Sequence, residues 1–518
     1  MRTLGGAILM MTMLQAPPGT GSITGSVIKA GTTIRQPLRN ARLELTGGPG
    51  TLIGRTDGNG AFGFPNLPPG QYQLSVTCDG FIRQEIPKKI VLARGQQFGN
   101  ILFQLEPAPT ATGRVLDMYG EPITNVLVEA LRRTYDVRGN PKLSRVATAV
   151  TNDLGDYRIF WLDPGDYFFY ASSPPPDNGE EQTETVVAPT YFPGVNTPED
   201  ARALRLDIGR EVQADFRLRP AGLWPITGHT MNGTNGRPVG AAITLIPPGQ
   251  NPNTSRYRAQ SSATGFNPGE FSMEHVAPGS YVIMAKSATG DPGLTAFQRI
   301  ELRPVLFAPI NGYTITLSLA APTSVHGQLY VESREALDLR RISIALLPVD
   351  PDMPSPQNAL VGPNGQFVMN GVFPGDYVLE ITNLPQDLYL KMARFGEASL
   401  DKLTIGMQPS SDPLQILLGS DGGHLQAESQ PSAQFVLVPD AARRSRREQY
   451  RVAVAGDDGR TAIRGIPPGD YKLFAWEDLE PNGYLNSDYL QAYEGRGVPL
   501  KISAGDNPPV AVRVIPRD

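Results

Sequence analysis

A single cysteine, Cys78, stands in 518 residues, so no disulfide can form within the chain and each folded unit must be held by its own core. Cys78 continues the apolar alternation of Tyr72, Leu74 and Val76, where a thiol reads as a small buried hydrophobe. Histidine is nearly as scarce: His229, His275, His326 and His424 are the only four. None has a Glu three residues on or a second His four residues on, so neither the zinc motif of a carboxypeptidase nor HExxH is present. No charge of one sign dominates, with 46 Lys and Arg against 51 Asp and Glu. Without a basic field, nucleic acid is excluded as a partner. Long apolar runs are missing beyond the first residues, and nothing there approaches the roughly 20 residues of a membrane-crossing helix. The mature chain is therefore expected to carry no integral membrane segment.

The one apolar run is Leu4 to Ala16, preceded by Arg2, in the charge-then-apolar order of a signal peptide. Residues 1–21 are read as a leader, with an apolar first strand as the alternative. Export to the periplasm, outer surface or medium follows from the leader reading.

The chain is rich in Gly (55) and Pro (49), spread evenly, as turns between many short strands require. They mark an internal repeat. Its five copies are Gly60-Phe62-Phe64-Leu67-Pro69-Gly70-Tyr72, Gly155-Tyr157-Ile159-Leu162-Pro164-Gly165-Tyr167, Gly269-Phe271-Met273-Val276-Pro278-Gly279-Tyr281, Gly365-Phe367-Met369-Val372-Pro374-Gly375-Tyr377 and Gly459-Thr461-Ile463-Ile466-Pro468-Gly469-Tyr471. In each, the second Gly follows the first by ten residues. The first Gly suits a turn at positive φ, and the alternation after it suits a half-buried strand. Pro-Gly predicts a type II turn joining two strands. The constant Tyr predicts a core ring with its hydroxyl bonded at the sandwich edge.

A repeat of about one hundred residues with some seven short strands predicts an all-β chain, a tandem array of about five Greek-key, transthyretin- or immunoglobulin-like β-sandwich domains. The boundaries read from the repeat are 22–108, 109–220 with an insertion at 173–207, 221–320, 321–420, and 421–518 with an insertion at 477–496.

The run Thr24-Gly25 through Pro37, Asn40, Ala41, Thr56, Asp57, Gly60, Phe62, Phe64, Pro69, Gly70, Tyr72, Gly80 and Phe81 resembles the carboxypeptidase regulatory-like domain, a transthyretin-like sandwich. The resemblance extends over the second copy and narrows to the Gly-to-Tyr core in the last three. It implies a multi-copy secreted bacterial protein with a carbohydrate-binding-like sandwich fold, and it implies function only loosely.

Catalytic constellations do not emerge. Gly58, Gly60 and Gly63 match GxGxxG but lie inside the strand repeat, with no helix to follow. Asp57-Gly58-Asn59-Gly60 and Asp457-Asp458-Gly459 resemble pieces of a calcium loop without its remaining ligands, and read as turns. No metal or cofactor is expected, and the chain is read as a non-enzyme.

What differs between copies is aromatic. The outward positions after Pro-Gly are Gln73, Ser75 and Thr77 in copy one, but Phe168, Tyr170 and Ser172 in copy two and Lys472, Phe474 and Trp476 in copy five. Copy two adds Phe160 and Trp161. Rings on an open sheet face stack on sugars or anchor proteins, so Phe160, Trp161, Phe168, Tyr170, Phe474 and Trp476 are the candidate ligand-binding residues. The alternative is local cover, because Tyr191-Phe192-Pro193-Gly194 and Tyr484, Tyr489, Leu490 and Tyr493 lie in the two insertions. The functional expectation is a non-catalytic binding or scaffold protein outside the cytoplasm, with a glycan or envelope polymer as ligand. The second reading is a structural spacer or accessory subunit that holds an envelope protein.

Overall fold

The computed structural model describes residues 20–516, apart from residues 49, 256 and 397 and the stretches 87–88, 173–184, 248–254, 288–292, 307–311, 334–337, 351–352, 400–402 and 407–411. The expected leader lies almost wholly outside the described residues, as does the first part of the 173–207 insertion.

The chain folds as β-sandwiches in tandem, and one wiring diagram recurs in each unit. In unit one, Gly21–Lys29 is flanked by Ala61–Leu67, antiparallel, and by Gln97–Leu105, parallel. The facing sheet runs Gly50–Arg55, Arg42–Gly47, Gly70–Thr77, then short edge pieces. The parallel pairing of first and last strands returns at Trp224–Asn232 with Tyr313–Leu319 and at Thr323–Glu332 with Leu414–Gly419. Side chains pointing inward from the two sheets form a separate core in each unit, such as Ile23, Leu43, Phe64, Tyr72 and Leu74 in unit one. Cys78 packs against that core, and burial pushes its thiol pKa up.

The first repeat glycine is required by the backbone. Gly60 and Gly155 both have φ 73, and a Cβ at either would lie 2.5 Å from the carbonyl oxygen of Val27 or Val115. That oxygen belongs to the strand whose N–H group bonds the glycine's own carbonyl, Val27 to Gly60 and Val115 to Gly155, both at 2.8 Å. A second close approach explains the aromatic two residues later. Phe62 stands opposite Gly25 and Tyr157 opposite Gly113, and each ring fills the space a side chain on the facing glycine would need. Unit five alters both partners together: Ala427 faces Thr461.

The Pro-Gly step differs from expectation. The strands before and after it, Ala61–Leu67 and Gly70–Thr77, belong to opposite sheets. Gly165, Gly279, Gly375 and Gly469 sit at φ 141 to 158, far from the value near +80° of a type II turn. The turn carries the chain across the sandwich instead of closing a hairpin. The Tyr that follows behaves as its position suggests. Its hydroxyl donates four residues back, from Tyr72 to Pro68 O (2.8 Å), Tyr281 to Ala277 O (2.9 Å), Tyr377 to Phe373 O (2.8 Å) and Tyr471 to Pro467 O (2.8 Å). This fixes those four crossovers to their own rings, and unit two's Tyr167 instead lies under the Arg132 guanidinium, 5.5 Å from its ring.

Units two to five make a closed circuit. Thr185–Val187 of unit two pairs with Pro220–Gly222 at the entry to unit three. Phe297 and Phe373 meet edge to face across units three and four, and Asp387 lies 3.0 Å from His424 across units four and five. Unit five then returns to unit two, where Tyr489 packs on Tyr135 and Asn486 bonds the Gly139 carbonyl. Unit one stands outside this circuit and meets unit two where the Gly209 N–H donates to the Pro107 carbonyl at 2.9 Å.

Candidate functional site

The six candidate rings part into two groups. In unit five, Phe474 and Trp476 project from the outer face of Gly469–Trp476, stack on each other at 5.2 Å and are buried. Their cover is the 477–496 insertion, which contains the short helix α1, Ser487–Tyr493. Its residues Tyr489, Leu490 and Tyr493 share one face at helical spacing, and they enclose Trp476 together with Val436, Tyr450 and Leu479. The insertion is tied down by Glu494, whose carboxylate accepts from Lys472 at 2.6 Å and Arg444 at 3.0 Å. Those two cations hold its pKa below the ordinary glutamate value.

Asn486 serves both sides of the joint. Its side-chain oxygen caps α1 by accepting from the Tyr489 N–H, while its amide donates to Gly139 O of unit two at 3.0 Å. The Gly139 turn is preformed, because Asp136 Oδ1 accepts from the N–H groups of Arg138 and Asn140. Arg447 adds a bond to the Val137 carbonyl. Between units four and five, a cavity of about 370 Å³ is lined by Glu380, Leu384, Tyr450 and Tyr484. Arg451, which also lines it, donates to the carbonyls of Glu448, Tyr450 and Gly465, so its charge is spent within unit five.

In unit two, Phe168 is buried with the Arg133 guanidinium 5.3 Å above its ring. Tyr170 is half-buried beneath Tyr191, at 4.6 Å between centroids, because Thr190–Tyr191 adds to the sheet edge there. Burial pushes the Tyr191 phenol up to about 12. Four of the six rings, Phe168, Tyr170, Phe474 and Trp476, thus lie under local cover, which was one of the two readings of these positions. The reason is tertiary: the unit five insertion folds back over Phe474 and Trp476, Tyr191 of the unit two insertion lies over Tyr170, and Arg133 lies over Phe168.

Phe160 and Trp161 remain open, 52% and 62% exposed. Their rings are 6.3 Å apart. Trp161 has φ 58, a left-handed conformation that is an outlier for a bulky residue. The same repeat position is left-handed in every unit but is occupied there by Asn66, His275, Gly371 and Gly465. Strain of this kind costs of order 1–3 kcal/mol and gathers at functional sites.

The pair ends a polar strip absent from the sequence reading. Asp156, Arg158 and Phe160 point outward from the strand whose Tyr157 and Ile159 fill the core. Beside them lie Thr112 and Arg114, then Glu211 and Gln213. Arg158 Nη2 is 2.9 Å from Glu211 and its guanidinium lies 5.1 Å over the Phe160 ring. Arg114 pairs with Asp156 at 2.6 Å, and Thr112 donates to Glu211 at 3.1 Å. The alternation of Asp156 and Arg158 was visible in the sequence, but their meeting with Glu211 depends on a parallel pairing of strands nearly a hundred residues apart. In the first unit, Asp57 Oδ1 accepts from the N–H groups of Asn59 and Ala61, so that acidic segment is a turn. No cluster of three or more potential metal ligands occurs among the described residues.

Comparison with known proteins now places the first unit. Residues 22–106 match the carboxypeptidase regulatory-like domain. Within the curated proteins, the BOS complex subunit NOMO1 of Mus musculus is 30% identical over 131 residues, which is 25% of this chain and 10% of that protein. The chain thus spans a tenth of the relative it matches. Among solved structures, the minor pilin GBS52 of Streptococcus agalactiae is 11% identical, with a TM-score of 0.23 over 39% of this chain and 96% of that one. BcpA, the major pilin subunit of Bacillus cereus, is 11% identical with a TM-score of 0.17 over 57% of this chain and 98% of that one. The carboxypeptidase regulatory-like unit carries the glycine and aromatic pairing of Gly25 and Phe62, and the later units repeat the same wiring.

Proposed function

We propose that this chain is a non-catalytic scaffold that works outside the cytoplasm and holds a glycan or envelope polymer through unit two. The observation that carries the reading is the Phe160–Trp161 pair, open to solvent and strained at Trp161. A large ring is kept at a left-handed position where the other units place Asn, His or Gly, and it stands beside the Gly80 turn of unit one with most of its surface open. Phe474 and Trp476 build the scaffold itself, packed beneath the insertion whose Tyr489 joins unit five to unit two. A spacer in the form of an extended rod is disfavoured by the same joint. The export part of the proposal rests on the leader reading of residues 1–21.

Two measurements test it. Mass spectrometry of the mature protein is expected to find the leader removed, and Met1 still attached refutes export. The full chain is expected to sediment with washed envelope material of the producing organism, and Trp161→Gly to weaken that association. Equal sedimentation of the two proteins refutes the assigned contact.

A further inference from the structure

We infer that the outer face of unit two's first sheet, from Asp156 to Trp161, binds an uncharged carbohydrate chain. The inference rests on the Phe160–Trp161 contact proposed above and adds to it the chemistry of the ligand. A sugar ring needs an aromatic plane for its C–H face and, next to it, hydrogen-bond groups of both kinds for its hydroxyls. Both are here. Phe160 and Trp161 supply the planes. Arg158, Thr112, Glu211 and Gln213 supply donors and acceptors along the adjoining strands, all reachable from solvent.

The charges indicate which carbohydrate. Both cations beside the two rings have a carboxylate, Arg158 with Glu211 and Arg114 with Asp156 and Asp215 nearby, while Arg217 stands at the far end of the face opposite Leu116. An acidic polymer would have to break those pairs, whereas a neutral hydroxylated chain can bond to them intact. The platform is rigid, since its side chains stand on paired strands and Arg158 is held at once by Glu211 and the Phe160 ring. A protein partner of ordinary interface composition would want a larger apolar centre than two rings on an ion-paired sheet.

The test is native affinity electrophoresis of the full chain in gels containing amylopectin, laminarin or hydroxyethyl cellulose, with alginate and polygalacturonate as the acidic counterparts. Retardation is expected in at least one neutral polymer, unaffected by added salt. Trp161→Gly should weaken it at least ten-fold without loss of fold, because Gly371 and Gly465 already occupy the equivalent left-handed position. Glu211→Gln, which keeps the shape but releases Arg158, should weaken neutral binding and begin to admit the acidic polymers. Retardation only in acidic polymers overturns the neutral assignment while leaving the ring contact in place. Neutral binding untouched by Trp161→Gly overturns the location. No retardation in any of the five polymers overturns the carbohydrate assignment, and the envelope sedimentation of Trp161→Gly then shows separately whether the rings contact a protein.

Discussion

Tyr489 of unit five meets Tyr135 of unit two edge to face, with ring centroids 5.6 Å apart. The contact joins the two units that carry extra aromatics, and it shows where most of those aromatics are used. A double-mutant cycle on Tyr135→Ala and Tyr489→Ala, read by chemical unfolding of the full chain, is expected to give a coupling of about 0.5–1.5 kcal/mol. A coupling of zero would mean that units two and five do not touch in solution.

Trp476→Ala is expected to cost about 3–5 kcal/mol of unit five's stability. The ring is 2% exposed between Phe474, Tyr489 and Tyr493, so its loss leaves a cavity under α1. Calorimetry should show an early transition for that unit, with polymer retention unchanged. Retention lost at an unchanged melting temperature would return Trp476 to the binding surface.

Gly155→Val and Gly165→Val separate two kinds of glycine. Both sit at positive φ, 73 and 141, and each substitution is expected to cost about 1–3 kcal/mol in strain. Gly155 adds a collision, because its Cβ would lie 2.5 Å from the Val115 carbonyl, whereas at Gly165 the nearest atom is the end of Arg132 at 3.1 Å. The first variant should therefore be the more damaging, as measured by hydrogen exchange along Thr110–Leu116.

Glu494 makes the lid of unit five sensitive to acid. Hydrogen bonding to Lys472, with Arg444 assisting, holds its carboxyl below its ordinary value of 4.5. A carboxyl lowered in the fold stabilises it above the unfolded value, and that gain is lost as pH falls through the folded value. Glu494→Gln should lower unit five's melting temperature at pH 7, and its difference from the natural chain should shrink below about pH 4.5. A difference that stays constant down to pH 3 would show that the ion pairs contribute nothing.

The repeated positions were legible in the sequence because their reasons are local. A backbone that must turn at positive φ selects Gly60 and Gly155, and a strand with one buried face alternates as Phe62 and Phe64 do. The constant Tyr was legible as a core ring, and in units one, three, four and five as one with a bonded hydroxyl, since its acceptor lies only four residues away. The direction of the Pro-Gly crossover was not, because a turn between paired strands and a crossing between sheets carry the same dipeptide.

The sequence by itself determined the all-β fold, the fivefold repeat and the two units that carry extra rings, since each depends on spacing within about ten residues. Only the tertiary structure decided which rings are covered, because that depends on where an insertion lands: the Tyr484–Tyr493 segment over Phe474 and Trp476, and Tyr191 over Tyr170. It also decided that Arg158 meets Glu211 beside Phe160 and that Asn486 meets Gly139. Both contacts join segments far apart in the chain, and only the closing of the sheets brings them within bonding distance.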